Sequence, residues 1–155
     1  MNEVVPNRKE YDPRMHSAEH ILNQTMVRMF DCGRAFRAHI EKKKSKCDYH
    51  FERDLTAEEI VQIENKVMEV ITSDLLIQEK ILGRDEAENI VSLAKLPDDA
   101  GDTVRIITIG EYDRCPCSGV HAHTTGEIGG FKIISTDYAS HVLRIRFKIN
   151  PKPSF

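Results

Sequence analysis

The hydrophobic and polar positions near the start of the chain follow the pattern of an amphipathic helix. Asp12 and Pro13 predict where it begins, because an Asp side chain can cap free amides and proline suits the first helical position. Apolar residues then recur at helical spacing to about Phe30. The predicted buried stripe consists of Ala18, Ile21, Leu22, Thr25, Met26 and Met29. His16 and His20 are one turn apart at the edge of this stripe.

The next segment has the alternating pattern of strands. We expect two strands, at 34–41 and 46–53, joined by a basic turn at 42–45 with the sequence Lys-Lys-Lys-Ser. In the second strand apolar and polar residues alternate strictly, which predicts one buried and one solvated face.

Two more helices are predicted in the middle of the chain. Thr56 and Glu59 have the spacing of a capping box, and apolar positions at helical spacing continue from there to about Ser73. A shorter helical stretch is expected at 84–94, and a loop at 97–101.

The last third of the chain is rich in strands. Residues 103–110, 129–136 and 141–149 show β-branched alternation, broken by glycine and by Asp137-Tyr138. Helices come early and strands late, without regular alternation, which favours an α+β fold with a mainly antiparallel sheet packed against helices. We expect the 155 residues to form a single two-layer domain.

Composition narrows the class of protein. The 22 Lys and Arg against 25 Asp and Glu give a net charge of −3, so we expect no DNA partner, and RNA binding would need a local basic patch. No apolar run approaches the roughly 18 residues of a membrane span, and the polar N-terminal segment does not resemble a secretory signal. We therefore expect a cytoplasmic protein without membrane partners. Its four cysteines are then core residues or metal ligands.

Two pairs of metal-ligand residues stand about a hundred positions apart. His16 and His20 lie in the run HSAEH, and Cys117 and His121 lie in the run CSGVH. Either pair alone is weak evidence, since short patterns arise by chance. Together they supply four donors of the number and type that a tetrahedral zinc ion takes. The sequence therefore predicts a zinc site between the first helix and a late loop.

The exact ligand set stays open at this stage. Cys115 and His123 are further donors in the same segment, and Cys115 is an alternative to Cys117. A shell closed by four protein ligands is typical of structural zinc, whereas catalysis needs one position left for water.

The motifs resemble the editing domain shared by alanyl- and threonyl-tRNA synthetases, and above all its free-standing AlaX-type versions. HSAEH, CSGVH and the following TTGEIGGFKI are similar to family motifs, as are the middle-helix segment LTAEEIVQIENKV and the strand segment VRIITIGEY. In alanine-type members the second motif typically reads Cys-Gly-Gly-Thr-His, so Ser118 and Val120 are substitutions here. We expect no synthetase catalytic or anticodon-binding part in a chain of this length.

The resemblance implies a function and a ligand set. The function is hydrolysis in trans of a mischarged aminoacyl-tRNA, most plausibly seryl- or glycyl-tRNA(Ala), and the implied zinc ligands are His16, His20, Cys117 and His121. Zinc can activate water and place a cation near the developing oxyanion of an ester. Alternatively, zinc holds the amino group of the substrate while other groups position the water.

The resemblance also predicts a substrate pocket. Arg37, in the run 34–39, stands where family members often have a small polar residue, so we expect it to alter the pocket and its specificity. The segment after the CSGVH run supplies the other predicted pocket residues, Thr124, Thr125 and Gly126. Glu127 is expected to orient a zinc-bound histidine. The other interpretation of 124–127 is a turn leading into a strand.

Basic residues predict contacts with the tRNA acceptor stem. The candidates are the turn residues Lys42, Lys43, Lys44 and Lys46, and the strand residues Arg144, Arg146 and Lys148. The three strand residues alternate and therefore share one face. A charged hairpin turn can equally be an ordinary solvated surface.

Two other interpretations compete with editing. HSAEH also satisfies H-x-x-E-H, the inverted zinc-protease helix, with Glu19 as general base, although this leaves the CSGVH run without a role. The second is a zinc-stabilised module that binds tRNA or a synthetase without hydrolysis.

Overall fold

Helices and antiparallel strands alternate irregularly along the chain. The computed structural model describes residues 12–41, 43–90 and 102–150. Their elements are α1 (Pro13–Phe30), β1 (Arg37–Ile40), β2 (Ser45–His50), α2 (Ala57–Thr72), β3 (Ile77–Gly83), α3 (Arg84–Glu88), β4 (Thr103–Ile109), β5 (Asp113–Pro116), a 3₁₀ helix (Thr125–Ile128), β6 (Phe131–Ala139) and β7 (Val142–Ile149). The predicted α+β class is confirmed. No helix in these ranges is both long enough and apolar enough to span a membrane.

The buried side of α1 carries polar as well as apolar residues. Its start is as predicted, since the Asp12 carboxylate accepts the N–H of Arg14 at 2.9 Å. The predicted stripe is buried at Ala18, Ile21, Leu22, Thr25 and Met26. The polar residues buried beside it are Ser17, Glu19, His20 and Asn23. Because buried polar groups need partners, this face indicates a polar site next to α1.

The helix α2 is fixed by the predicted capping box. The N–H of Glu59 donates to Oγ1 of Thr56 at 3.1 Å, and the N–H of Thr56 donates to the Glu59 carboxylate at 2.9 Å. Its buried residues are Ile63, Val67, Val70 and Ile71. These side chains join the stripe of α1 in the main hydrophobic core.

Four strands form the larger sheet, in the order β1-β2-β7-β6, with every neighbouring pair antiparallel. Its inner face closes the main core with Cys47, Tyr49, Leu143, Ile145 and Phe147, all fully buried. Its outer face is polar and carries Arg37, Lys46, Asp48, Arg144 and Arg146. Alternation along each strand separates the two sets.

The smaller sheet has the order β3-β4-β5 and is also antiparallel. It meets α1 along a hydrogen-bonded seam. Oγ1 of Thr25 lies 2.6 Å from the Tyr112 hydroxyl, and Arg28 donates to the Tyr112 carbonyl at 2.8 Å. Gln24 donates to the Asp113 carboxylate at 2.8 Å. This seam sets the β4–β5 hairpin against the helix that carries His16 and His20.

Several predicted boundaries need correction. The strands expected at 34–41 and 46–53 are shorter at their outer ends, and the helix expected at 84–94 ends at Glu88. Asp137 and Tyr138 do not break a strand but lie inside β6. The turn comes later, at Ser140 and His141, whose φ angles are 51° and 65°. Lys42, 91–94 and the loop at 97–101 lie outside the described residues.

Candidate metal centre

Four side chains from distant parts of the chain meet beside α1. They are His16, His20, Cys117 and His121, which we call the His/Cys cluster, and one ligand atom from each lies within 4.8 Å of all the others. Sγ of Cys117 is 3.5 Å from Nε2 of His16 and 3.5 Å from Nε2 of His121. The His16 and His121 rings are stacked, with centroids 4.2 Å apart, and the His20 ring stands nearly perpendicular to both. This set could hold a metal ion.

Helical spacing and a short loop bring these donors together. His16 and His20 are four apart on α1, so both rings leave the same side of the helix. Cys117 and His121 bound the 117–121 loop, which follows β5 directly. Only two segments of the chain are therefore needed to supply all four donors.

Arg105 of β4 holds the 117–121 loop from outside. Its guanidinium donates to the carbonyls of Cys117 at 2.7 Å and Gly119 at 2.9 Å, and its own carbonyl accepts the Cys117 N–H at 3.1 Å. Glu79 on β3 binds the same guanidinium at 2.8 Å. The loop is thus anchored to the smaller sheet independently of any metal.

Two histidines are oriented through Nδ1. Nδ1 of His16 lies 3.2 Å from the Val120 carbonyl, which can only accept, so the proton of a neutral His16 ring is on Nδ1. Nδ1 of His121 lies 3.0 Å from Oγ of Ser17. The same Oγ accepts the N–H of Ala122 at 3.0 Å. Both rings are then left with Nε2 facing Cys117, the arrangement that a metal ligand requires.

His20 faces a buried carboxylate. Its Nδ1 is 3.6 Å from Oδ2 of Asp113, too long for a hydrogen bond but close for a charge, and it has no hydrogen-bond partner in the described part of the chain. Arg34 donates to both Asp113 oxygens, at 2.7 and 3.2 Å. Burial raises the pKa of Asp113, but His20 and Arg34 outweigh burial and lower it to about 2. Asp113 is therefore ionised next to the ring.

The pKa shifts of Cys117 and His121 favour metal binding, whereas that of His20 opposes it. Burial raises the pKa of the Cys117 thiol, but contacts with the three histidines outweigh it and lower the pKa to about 3. Burial lowers the pKa of His121 to about 4. Burial also lowers the pKa of His20, but Asp113 and Cys117 reverse the effect and raise it well above the ordinary value. At neutral pH the cluster thus holds a thiolate, and a metal would displace the proton of His20.

Cys115 and His123 do not join the cluster. Sγ of Cys115 contacts its own neighbour's carbonyl, on Pro116, at 3.4 Å, and burial raises the pKa of this thiol. His123 is exposed. Neither belongs to the group of four, so among the described residues the competition between donors favours Cys117 and His121.

Arg37 lies away from the cluster. Its side chain is 61% exposed and donates to the Asp48 carboxylate at 2.8 Å. Ile40, three residues further along β1, packs against the main core, so alternation puts Arg37 on the opposite side of the sheet. The structure therefore does not bring Arg37 to the predicted pocket. The sequence pattern of β1 does not reveal which of its two faces turns inward.

The 124–127 segment is tied to the end of α2. Oγ1 of the buried Thr125 donates to the Val70 carbonyl at 2.9 Å and accepts the Leu75 N–H at 2.8 Å. The N–H of Gly126 donates to the Asp74 carboxylate at 3.1 Å, and a Cβ on Gly126 would collide with that carboxylate. Thr124 forms an isolated bridge with Leu76. These contacts are those of a turn, and a role of 124–127 in a substrate pocket stays a prediction.

Glu127 is exposed, and the described structure gives it no contact with a histidine. The groups next to the imidazoles are instead Ser17, Asp113 and the Val120 carbonyl. The sequence motifs do not predict Ser17 and Asp113 as part of the site. Ser17 had one available signal, since it lies between the two histidines of the HSAEH run. Asp113 had none, because only the tertiary structure brings it to His20.

Three of the predicted basic residues, Lys44, Lys46 and Arg146, come together on the outer face of the larger sheet. Lys46 pairs in register with Arg146. A pocket of about 130 Å³ is lined by His39, Glu41, Lys44, Ser45, Lys46 and Arg146. Arg144 is bound to the Asp48 carboxylate at 2.8 Å, which partly neutralises it. Lys43 and Lys148 are exposed.

Comparison with known proteins defines the class. Residues 104–146 match the family described as the threonyl and alanyl tRNA synthetase second additional domain. The alanine–tRNA ligase of Fervidobacterium nodosum is 33% identical over 132 residues, which cover 84% of this chain and 15% of the ligase. The alanine–tRNA ligase of Idiomarina loihiensis is 30% identical over 146 residues, which cover 92% of this chain and 17% of the ligase. The chain thus spans about a sixth of the length of these relatives.

The fold, the His/Cys cluster and these matches define a protein related to tRNA synthetase editing domains. Residues 104–146 are similar to the second additional domain of threonyl- and alanyl-tRNA synthetases. The wider similarity, over most of this chain, is to alanine–tRNA ligases. The resemblance inferred from the motifs is confirmed.

Proposed function

We propose that this protein is a zinc-dependent deacylase that hydrolyses the ester of a mischarged aminoacyl-tRNA, with seryl- or glycyl-tRNA(Ala) as substrate. The observation that carries the proposal is the convergence of three imidazoles and one thiol within 4.8 Å. The similarity to alanine–tRNA ligases supports the choice of tRNA. An editing role would be carried out in the cytoplasm, where thiols remain reduced and available to a metal.

The donor set supports zinc in particular. Three imidazoles and one thiolate suit zinc, whereas carboxylate and carbonyl oxygens would suit magnesium or calcium. His16, His20, Cys117 and His121 would hold the ion. When bound, zinc supplies a positive charge beside the ester carbonyl and lowers the pKa of water.

The residues around the cluster would keep the donors in place during turnover. Ser17 and the Val120 carbonyl orient two rings through Nδ1, and Asp113 faces the third. Arg105 fixes the 117–121 loop. Such support around a site gives the precise positioning that catalysis requires.

The outer face of the larger sheet supports the tRNA partner. Lys44, Lys46 and Arg146 line one pocket there, and phosphate groups of an acceptor stem would neutralise them. A-form RNA is read mainly through its shape and backbone, so a patch of this kind needs no base contacts.

One observation favours a second candidate. Four protein donors fill a tetrahedral shell, and closed shells are typical of structural zinc. The second candidate is therefore a zinc-stabilised module that binds tRNA without hydrolysing it.

The experiment compares deacylation of a panel of mischarged tRNAs by the wild type, His20→Ala and His123→Ala. His123 is the matched control, because it is a histidine outside the cluster. The proposal expects loss of activity in His20→Ala with the fold intact by circular dichroism, and wild-type activity in His123→Ala. Absence of deacylation with every tRNA, despite bound zinc and tRNA, would favour the binding module.

A further inference from the structure

Glu19 lies beside the His/Cys cluster without belonging to it. Its Oε1 is 3.9 Å from Nε2 of His16 and 3.8 Å from Nε2 of His20, distances too long for hydrogen bonds. Only 12% of its side chain is exposed, next to a His16 side chain that is 15% exposed. The carboxylate is thus nearly buried at the point where the cluster opens to the surface.

Glu19 is held in this orientation from behind. Its other oxygen, Oε2, accepts Nδ2 of Asn23 in a short hydrogen bond. Oδ1 of Asn23 accepts the N–H of Ala35 at 2.8 Å, which fixes the amide so that its nitrogen faces Glu19. The position of Oε1 is therefore set by the helix and by the chain that follows it.

Oε1 of Glu19 has no hydrogen-bond donor in the described part of the chain. The two nearest nitrogens cannot supply one when they hold a metal, because Nε2 then carries no proton. Oε1 is not a fully buried atom, since 12% of the Glu19 side chain is exposed, so a ligand that brings a donor can reach it and form a hydrogen bond there. A carboxylate oxygen is best matched by a cationic or strongly polar donor, because charge-assisted hydrogen bonds are the stronger ones.

We propose that Oε1 of Glu19 binds the α-ammonium group of the aminoacyl ester and thereby selects substrates with a free amino group. This inference rests on the proposed function. The α-ammonium group is present in every aminoacyl-tRNA, close to the scissile ester, and it brings three donors and a positive charge. An N-acylated ester has one neutral N–H instead, so it would leave the carboxylate poorly paired and be rejected.

The role differs from that of a general base. A base acts on the chemical step, so its loss lowers kcat for every substrate. An ammonium-binding carboxylate acts on substrate binding, so its loss raises KM for free-amine substrates only. Glu19→Gln keeps the shape and the bond to Asn23, but it presents an amide to the ligand.

The experiment measures the ratio of kcat/KM for seryl-tRNA(Ala) to that for N-acetylseryl-tRNA(Ala). We expect the wild type to prefer the free amine by tenfold or more, and Glu19→Gln to lose at least tenfold of that preference through KM. Glu111→Gln, an exposed carboxylate in the β4–β5 turn, is the control and should keep the wild-type ratio. An unchanged ratio in Glu19→Gln, or an equal fall in kcat for both substrates, overturns the inference.

A binding assay separates this inference from the proposed function. The probe is the non-hydrolysable 3′-serylamino-3′-deoxyadenosine, free or N-acetylated, titrated by calorimetry into protein whose zinc content is measured. We expect the wild type to bind the free amine at least tenfold more tightly and Glu19→Gln to bind both alike, with equal zinc in the two proteins. If the wild type hydrolyses neither tRNA, the proposed function fails while this ratio still decides the role of Glu19. Loss of zinc from Glu19→Gln, or equal binding by the wild type, overturns it.

Discussion

Oγ of Ser17 joins the two halves of the His/Cys cluster, because it lies 3.0 Å from Nδ1 of His121 and accepts the N–H of Ala122 at 3.0 Å. Ser17→Ala removes both contacts and leaves the buried Ala122 N–H unpaired. We expect a loss of roughly 1–3 kcal/mol in the free energy of unfolding and about a tenfold weaker affinity for zinc. Chemical denaturation and competition with a zinc chelator measure the two effects. An unchanged zinc affinity would show that Ser17 does not orient His121.

Asp113 should influence the metal through His20. Asp113→Asn removes the charge that faces Nδ1 at 3.6 Å and also the ionic partner of Arg34. We expect zinc affinity to fall about 10- to 100-fold, the range typical of groups that support a metal ligand. Competition titration against a chelator of known affinity gives the dissociation constant. Asp74→Asn, at the end of α2, is a control with no contact to the cluster, and its constant should equal that of the wild type.

Metal removal should destabilise the fold. A ligand that binds only the folded state at a hundred times its dissociation constant adds about 2.7 kcal/mol. For a protein of this size we expect chelation to lower Tm by on the order of 5 to 10 °C. The check is differential scanning fluorimetry with and without chelator. In His20→Ala the shift should shrink towards zero, and a full shift in that variant would contradict the assigned ligands.

The ion pairs of Asp48, on the outer face of the larger sheet, should make an acid-sensitive contribution to the free energy of unfolding. The Arg144 and Arg37 guanidinium groups hold the pKa of Asp48 below its ordinary value, against the effect of burial. A depressed folded-state pKa means that the stabilisation is fully present above about pH 4 and is lost as pH falls through the folded-state value. Asp48→Asn should therefore be less stable by roughly 1–3 kcal/mol at neutral pH and converge with the wild type in acid. Denaturant titrations between pH 7 and 2 measure this, and parallel curves would contradict it.

Charge reversal in the basic turn tests the tRNA contact. Lys42→Glu, Lys43→Glu and Lys44→Glu together should raise KM for mischarged tRNA several-fold, with a smaller salt dependence, because phosphate contacts are lost. Lys80→Glu, on the smaller sheet, is the matched control for the single variant Lys44→Glu, since each reverses one charge, and it should change KM little. An unchanged KM in the triple variant would remove this patch from substrate binding.

Local signals explain what could be predicted from the sequence. Some features depend only on neighbours along the chain, so sequence spacing is sufficient to predict them. They are the N-cap at Asp12, the capping box at Thr56 and the i, i+4 histidine pair on α1. The second ligand pair is visible as a dense run of cysteines and histidines, and the structure brings Cys117 to His16.

The rest depends on tertiary contacts. The sequence pattern does not predict strand β3, because β3 is an edge strand. Its residues, including Gln78, Glu79 and Lys80, are mostly exposed and lack an alternation of apolar and polar positions. The family resemblance predicts Arg37 in the pocket, but the face that β1 turns inward is set by its pairing with β2, which local sequence does not reveal. Asp113 reaches His20 only when the β4–β5 hairpin docks on α1.

The two halves of the His/Cys cluster are attached to different sheets. His16 and His20 stand on a helix that covers the larger sheet, whereas Arg105 fastens the 117–121 loop to the smaller one. A metal bound here would join two segments about a hundred residues apart in the chain. Because it binds only the folded state, its binding free energy would add to the stability of this junction. Without the metal, the seam keeps hydrogen bonds such as that between Thr25 and Tyr112, together with the packing of Ile109 in the main core. Zinc starvation should therefore loosen the docking of one sheet against the other before either sheet melts.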